Sequence, residues 1–278
     1  FRSLGAQLLP VPMGPSGLGL DHLERLLTRH APKLLYCQPN AHNPSGLTLD
    51  AASRRRLLAL ASRHRLPIVE DGFDAGLYYG DPPAAPLAAG DRQGLVIFIG
   101  TFSKVLFPGL RLGWIVAPRP LLERLEAAKQ LSDIHTSLLI QAAIFRFCQG
   151  RFLDRHLARL RQEYGLRRKL LLSALERHLP KAVRWTIPQG GFTLLCSLPE
   201  QLDAGALLPR GLERGVAFTP GSVFYVDGEG AHSLRLSFSS VPASRIEEGV
   251  RRLGEVIREA LRRPGRRLEA ERATVPLV

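Results

Sequence analysis

A chain of 278 residues, 45% hydrophobic and 23% charged, can bury one large core or a large and a small one, and it is neither a disordered tract nor a fibrous repeat. No apolar run approaches the roughly 20 residues that span a bilayer, so no membrane-spanning helix is expected within these residues. The formal charge is +13, but the arginines sit on periodic stretches such as "AASRRRLLALASRHR" and "EEGVRRLGEVIREALRR" without interleaved aromatics. That is the pattern of solvated helix faces, not of a single-strand nucleic-acid groove.

In chain order, the opening "FRSLGAQLLPVPMG" reads as the interior of a domain, so further sequence is expected upstream of Phe1. "KLLYCQP" predicts a strand over 33–39, and "LDAASRRRLLALASRHR" an amphipathic helix over 49–65. "LPIVED" (66–71), "GLVIFIG" (94–100) and "LRLGWIVAP" (110–118) predict three more strands. Runs of Val, Ile and Leu with polar residues only at their carboxyl ends predict a buried, mostly parallel sheet, and the alternation with helices predicts an α/β fold. From Pro120 to about Leu179 the spacing turns helical. Short strands return in "VRWTIP", "GGFTLLCSL", "VAFTPG" and "SLRLSFS", and a last helix runs from about Ser244 to Arg263. This second half predicts a smaller α+β domain, and "PGRRLEAERATVPLV" a loose tail. The three cysteines, Cys37, Cys148 and Cys196, form no C-x-x-C pair and predict buried thiols in a reducing cytoplasm.

Ligands of open α/β sheets bind beyond the carboxyl ends of the strands, so the residues that follow each strand are the candidates. They are "NAHNPSG", the pair Glu70-Asp71, and "TFSK"; Arg235 lies inside a later strand. Lys104 stands out because only five of the 38 basic side chains are lysines. It follows an apolar strand and is flanked by Thr101, Ser103 and Arg111, a set that suits a phosphate group with an amine left to react. There is no Walker A loop, no H-E-x-x-H, and no S-D-N or K-T-G companion for a serine–lysine dyad. His64, His135 and His156 stand isolated in helical stretches and predict no metal site.

Together, "NAHNPSG", "IVEDGFD", "TFSKVLFPGLRLGW", "PQGGF" and "LRLSFS" resemble, in order and approximate spacing, the motifs of fold type I pyridoxal-phosphate aminotransferases of class I/II. The resemblance runs from Phe1 to about Arg263. It is greatest to the branch of 2-aminoadipate-type aminotransferases and the aminotransferase-like domains of MocR regulators. It implies a cofactor-binding large domain with connecting helices over 1–158, its front part lying upstream, and a small domain over 159–263, followed by the tail 264–278. It implies pyridoxal 5'-phosphate as cofactor, no metal, and a cytoplasmic homodimer. Lys104 would carry the cofactor and shuttle the proton. Thr101, Ser103 and Arg111 would hold the phosphate, Asp71 the pyridine nitrogen, Asn43 the ring oxygen, and Arg235 the substrate carboxylate. Taken one by one, Asp71 could equally be a turn cap, Asn43 a turn residue and Arg235 a solvent-facing strand residue.

Two departures accompany the resemblance. Phe73 stands where many relatives have a tyrosine on the ring oxygen, with Tyr78 and Tyr79 as the available substitutes. The family's upstream phosphate loop and ring-stacking aromatic do not precede Phe1. The implied activity is amino-group transfer between an amino acid and a 2-oxo acid. The alternatives are the effector domain of a MocR/GntR-type regulator, with DNA as partner only through an upstream winged helix, and a β-lyase or decarboxylase on the same fold.

Overall fold

The computed structural model describes residues 1–14, 17–73 and 76–262. The expected tail 264–278 lies outside them. The chain separates into two compact units: Val11–Glu163 with Pro188–Gly191, and Phe1–Pro10 with Tyr164–Ile187 and the chain from Phe192 onward.

The first unit opens with a short antiparallel pair, β1 (Met13–Gly14) and β2 (Gly17–Leu18), followed by helix α1 (Leu20–Arg29). Helix α1 is absent from the expected elements, although Leu20, Leu23 and Leu27 form a buried stripe at helical spacing. Then come β3 (Leu35–Cys37), α2 (Ala51–His64), β4 (Ile68–Gly72), α3 (Leu87–Gly90), β5 (Val96–Thr101) and β6 (Gly113–Val116). Asp50 caps α2 by accepting the Ser53 N–H at 2.7 Å, and Arg65 ends it in the left-handed conformation. Helices α4 (Arg119–Asp133) and α5 (Leu138–Gln149) follow, then α6 (Phe152–His178), whose first part belongs to this unit.

The sheet order is β3-β4-β5-β6. The first three strands are parallel, as the apolar runs predict. Strand β6 is antiparallel to β5 and exposed along its length, not buried as the sequence predicts. The reason is the connection. Residues 102–112 hold only a short 3-10 turn, too little for the crossover that a parallel partner needs. Arg111 turns the chain back in the left-handed conformation, with φ 48°. The core of this unit packs Leu23 and Leu27 of α1, with Leu57 and Leu60 of α2, against Leu35, Cys37, Ile68 and Val96 of the sheet.

The second unit holds the rest of α6, β7 (Arg184–Trp185), β8 (Thr193–Ser197), α7 (Ala204–Glu213), β9 (Thr219–Pro220), β10 (Ser233–Ser237) and α8 (Ala243–Arg262). Its sheet, ordered β7-β8-β10-β9, is wholly antiparallel. Buried side chains of α6 (Leu171, Leu175), β10 (Leu234, Leu236) and α8 (Val250, Leu253, Ile257) supply its core.

Candidate functional site

Strand register sorts the first unit's sheet into two faces. Tyr36 pairs with Val69, and Asp71 with Ile99. Side chains two apart share a face, and partners in a parallel pair share it too. Tyr36, Gln38, Asp71 and Thr101 therefore fall on one face. Leu35, Cys37, Ile68 and Val96 fall on the other, against α1 and α2. The chemistry-bearing residues thus lie at the carboxyl ends of the strands, on the face turned away from that core.

Asp71 is the best-connected of them. Its Oδ2 accepts from the Tyr36 hydroxyl and, at 3.1 Å, from Gln38 Nε2. Partial burial, then the adjacent Asp71 carboxylate, push the Tyr36 hydroxyl well above the usual tyrosine range, so Tyr36 remains a donor. Gln38 Oε1 in turn accepts the backbone N–H of Asn43 at 2.9 Å. One glutamine thus joins the loop of Asn43 to the carboxylate of Asp71.

That loop is held from two further sides. The buried Arg54 of α2 donates to the carbonyls of Pro39, Leu49 and Ala85 and to Asn40 Oδ1. Gln189 threads through from the "PQGGF" motif: its N–H donates to Gly46 O at 2.9 Å, and its Oε1 accepts Thr48 N–H at 2.9 Å. On its other side the same thread exchanges Tyr79 N–H to Gln189 O and Gly191 N–H to Leu77 O. Gly190 is obligatory there, because a Cβ would lie 2.5 Å from Leu77 O. His42 bonds Ser45 Oγ through Nδ1 at 2.9 Å, and burial pulls its imidazole down to about 4. On the core face, Glu70 is 1% exposed and accepts the N–H groups of Leu87 and Ala88. Burial raises its carboxyl above the usual range, while those N–H groups oppose the rise.

Of the two substitute tyrosines for Phe73, Tyr79 has its hydroxyl engaged, and Tyr78 is held through its ring. Tyr79 donates its hydroxyl to Gly191 O at 2.5 Å, and the Tyr78 ring lies 4.2 Å from the Arg161 guanidinium.

The segment after β5 is tied more lightly. Thr101 Oγ1 accepts Ser103 N–H at 3.0 Å, and Leu106 N–H returns to Phe102 O at 2.9 Å. Val105 is the anchor, 2% exposed, with His156 Nε2 2.7 Å from its carbonyl. Lys104 is exposed, and among the described residues its amine has no hydrogen-bond or ion-pair partner. Arg111 is exposed, with one long contact to Pro108 O.

In the second unit, Arg235 lies in β10 between Leu195 of β8 and Thr219 of β9. Its guanidinium donates to Thr219 Oγ1 at 3.1 Å and stands 5.0 Å from the Phe224 ring centroid. Burial pulls it below the usual arginine range, so an anionic partner would be favoured there.

Sequence reasoning missed Tyr36, Gln38, Arg54 and Gln189. For the first two a signal was present: in "LYCQ" the polar residues alternate with Leu35 and Cys37, which marks a strand with one wet face. Arg54 looks like one more arginine of a basic helix face, and Gln189, although it lies in "PQGGF", meets Thr48 only across 141 residues.

Comparison with known proteins places these observations. The family described as "Aminotransferase class I and II" matches residues 1–253. The 2-aminoadipate transaminase of Thermus thermophilus is 40% identical over 264 residues, 94% of this chain and 66% of that protein. The HTH-type transcriptional regulator YdfD of Bacillus subtilis is 33% identical over 259 residues, 93% of this chain and 53% of the regulator. The chain thus spans about two thirds or less of the relatives it matches. The crystal structure of LysN, an alpha-aminoadipate aminotransferase from Thermus thermophilus complexed with N-(5'-phosphopyridoxyl)-L-leucine, superposes with TM-score 0.89. That match, at 39% identity, covers 94% of this chain and 68% of the other.

Proposed function

The chain belongs to the class I and II aminotransferases, and from that membership we propose that the protein moves an amino group between an amino acid and a 2-oxo acid, using pyridoxal 5'-phosphate. The observation that carries this reading is the delivery of two kinds of group to one end and one face of the sheet. Adjacent parallel strands bring Asp71 there on β4 and the Thr101–Lys104 segment at the end of β5. The donor set fits the cofactor: a carboxylate for a pyridine nitrogen, an amide for a ring oxygen, a reactive amine, and two hydroxyls with a guanidinium for a phosphate.

When bound, pyridoxal phosphate supplies an electron sink for the substrate's α-carbon and a carrier for its amino group. The chain's own residues do the rest. Lys104 holds the cofactor through its amine and afterwards moves the proton at the α-carbon. Asp71 keeps the pyridine nitrogen protonated. Thr101, Ser103 and Arg111 hold the phosphate, and Asn43 bonds the ring oxygen. Arg235 grips the substrate α-carboxylate as a bidentate fork. The resemblance also supports a homodimer working in the cytoplasm. Among the described residues no helix is long and apolar enough to cross a membrane.

A second reading, the effector domain of a transcription regulator, is favoured by the match to YdfD over 93% of this chain. One experiment separates the two. The full-length protein is loaded with pyridoxal phosphate, reduced with borohydride and mapped by peptide, and the unreduced protein is mixed with a panel of amino acids. A label on Lys104 and release of 2-oxo acid are expected. A label on Lys129 or another lysine overturns the site. A spectral response without 2-oxo acid transfers the reading to the regulator.

A further inference from the structure

We infer that Gln38 and Tyr36 are positioning residues that aim the Asp71 carboxylate and lock it to the Asn43 loop, so that the two contacts proposed for the cofactor ring are set together at the carboxyl end of β3. This rests on the roles proposed above for Asp71 and Asn43.

Hydrogen-bond chemistry leaves the arrangement only one sense. The Asn43 backbone N–H can only donate, so the Gln38 amide must turn its oxygen towards it. The amide nitrogen then faces Asp71 Oδ2 at 3.1 Å and the Tyr36 oxygen at 3.1 Å. An ionised carboxylate can only accept, which agrees with two donors converging on that one oxygen. Among the described residues Asp71 Oδ1 receives no hydrogen bond, so the scaffold occupies one carboxylate oxygen and leaves the other to a ligand donor. A bonded carboxylate cannot rotate away, and metal-ligating and catalytic side chains gain from such orienting partners. The placement follows from strand geometry. Tyr36 lies on β3 and Gln38 directly follows it, two residues on, and the parallel register of β3 with β4 brings both beside Asp71 on the same face. Tyr36 is 43% exposed, so its ring does little for the core, and the hydroxyl is what its position delivers. Glutamate at position 38 would set carboxylate against carboxylate and lose the sense of the amide.

The test is a double-mutant cycle on the full-length protein, read as the dissociation constant of pyridoxal phosphate, with the thermal midpoint of the cofactor-free protein as a folding control. Gln38→Met and Tyr36→Phe should each weaken cofactor binding about tenfold in the wild-type background. In an Asp71→Ala background, where no carboxylate remains to be aimed, the same changes should weaken it less than about twofold. An equal loss in both backgrounds, or no loss in the first, overturns the inference. If Gln38→Met does not fold, Tyr36→Phe carries the cycle, since it removes one hydroxyl from a half-exposed ring. Asp71→Ala binding as tightly as wild type would instead overturn the proposed role of Asp71, and it is recognised by all the variants binding alike.

Discussion

Loop 38–48 and turn 101–111 leave the same end of one sheet and are held by opposite means. The loop is pinned by polar contacts from Arg54 of α2 and from Gln189 of the thread 188–191, and its own first residue, Gln38, ties Asn43 to Asp71. The turn hangs on a buried Val105 and a few short-range bonds, and it leaves Lys104 and Arg111 exposed. A carboxylate and an amide that meet a flat ring gain from being fixed beforehand, because their geometry does the discriminating. An amine that must exchange partners, and cations that meet a phosphate, gain from reach. On the proposed roles, the difference separates a part suited to orientation from a part suited to capture.

The contrast is sharpest at Lys104. Lys104→Ala should abolish borohydride-stable attachment of pyridoxal phosphate while changing stability by no more than about 0.5 kcal/mol, the usual range for an exposed side chain. Denaturant titration beside peptide mapping reads both. Retained attachment would remove Lys104 as the cofactor lysine, and a large loss of stability would mean that the turn is not lightly tied.

The opposite balance is expected at Arg54, which is 5% exposed. Arg54→Met keeps the aliphatic stem and strips donors from the Pro39, Leu49 and Ala85 carbonyls and from Asn40 Oδ1. The cost should be about 3–5 kcal/mol, because buried acceptors lose a charged partner. The urea midpoint at constant m measures it. A loss below about 1 kcal/mol would show that the loop is secured without Arg54.

Acid should find the pinned loop first. Folded His42 takes its proton only near pH 4, against an ordinary value of 6.5. Between these values the unfolded chain binds the extra proton. Stability is therefore present above about pH 6.5 and falls as the pH drops towards 4, by up to about 3 kcal/mol. His42→Gln should flatten that part of the stability profile, measured as unfolding midpoints from pH 4.5 to 7.5. An unchanged slope would remove His42 as its source.

The smallest effect belongs to the turn. Arg111→Gln should leave stability within about 0.5 kcal/mol and weaken binding of pyridoxal phosphate only a few-fold, because an exposed cation shares its work with solvent. Competition by inorganic phosphate should shift in the same direction. A collapse of binding would show that Arg111 bears more of the phosphate than its exposure implies.

Much of this was legible in the residues themselves. Short apolar runs rich in β-branched residues, bounded by turn residues and alternating with helical stretches, read as buried strands, so the parallel part of the sheet and the positions of Asn43, Asp71 and Thr101–Lys104 at strand ends follow from local pattern and the order of motifs. Helix α2 was readable because its cap Asp50 and its apolar spacing lie within one stretch. The direction of β6 was readable from the short chain between it and β5, which the apolar pattern by itself does not weigh. Tertiary structure alone decided the rest. The exposure of β6 depended on which elements pack against it, and an apolar run does not state that. The donors of Asp71 stand 33 and 35 residues earlier, and Gln189 meets Thr48 across 141 residues. Sequence patterns report which side chains seek burial and where a chain can turn. Which polar group satisfies which other is a matter of distance in the folded chain, and only packing the strands side by side brings Gln38 between Asn43 and Asp71.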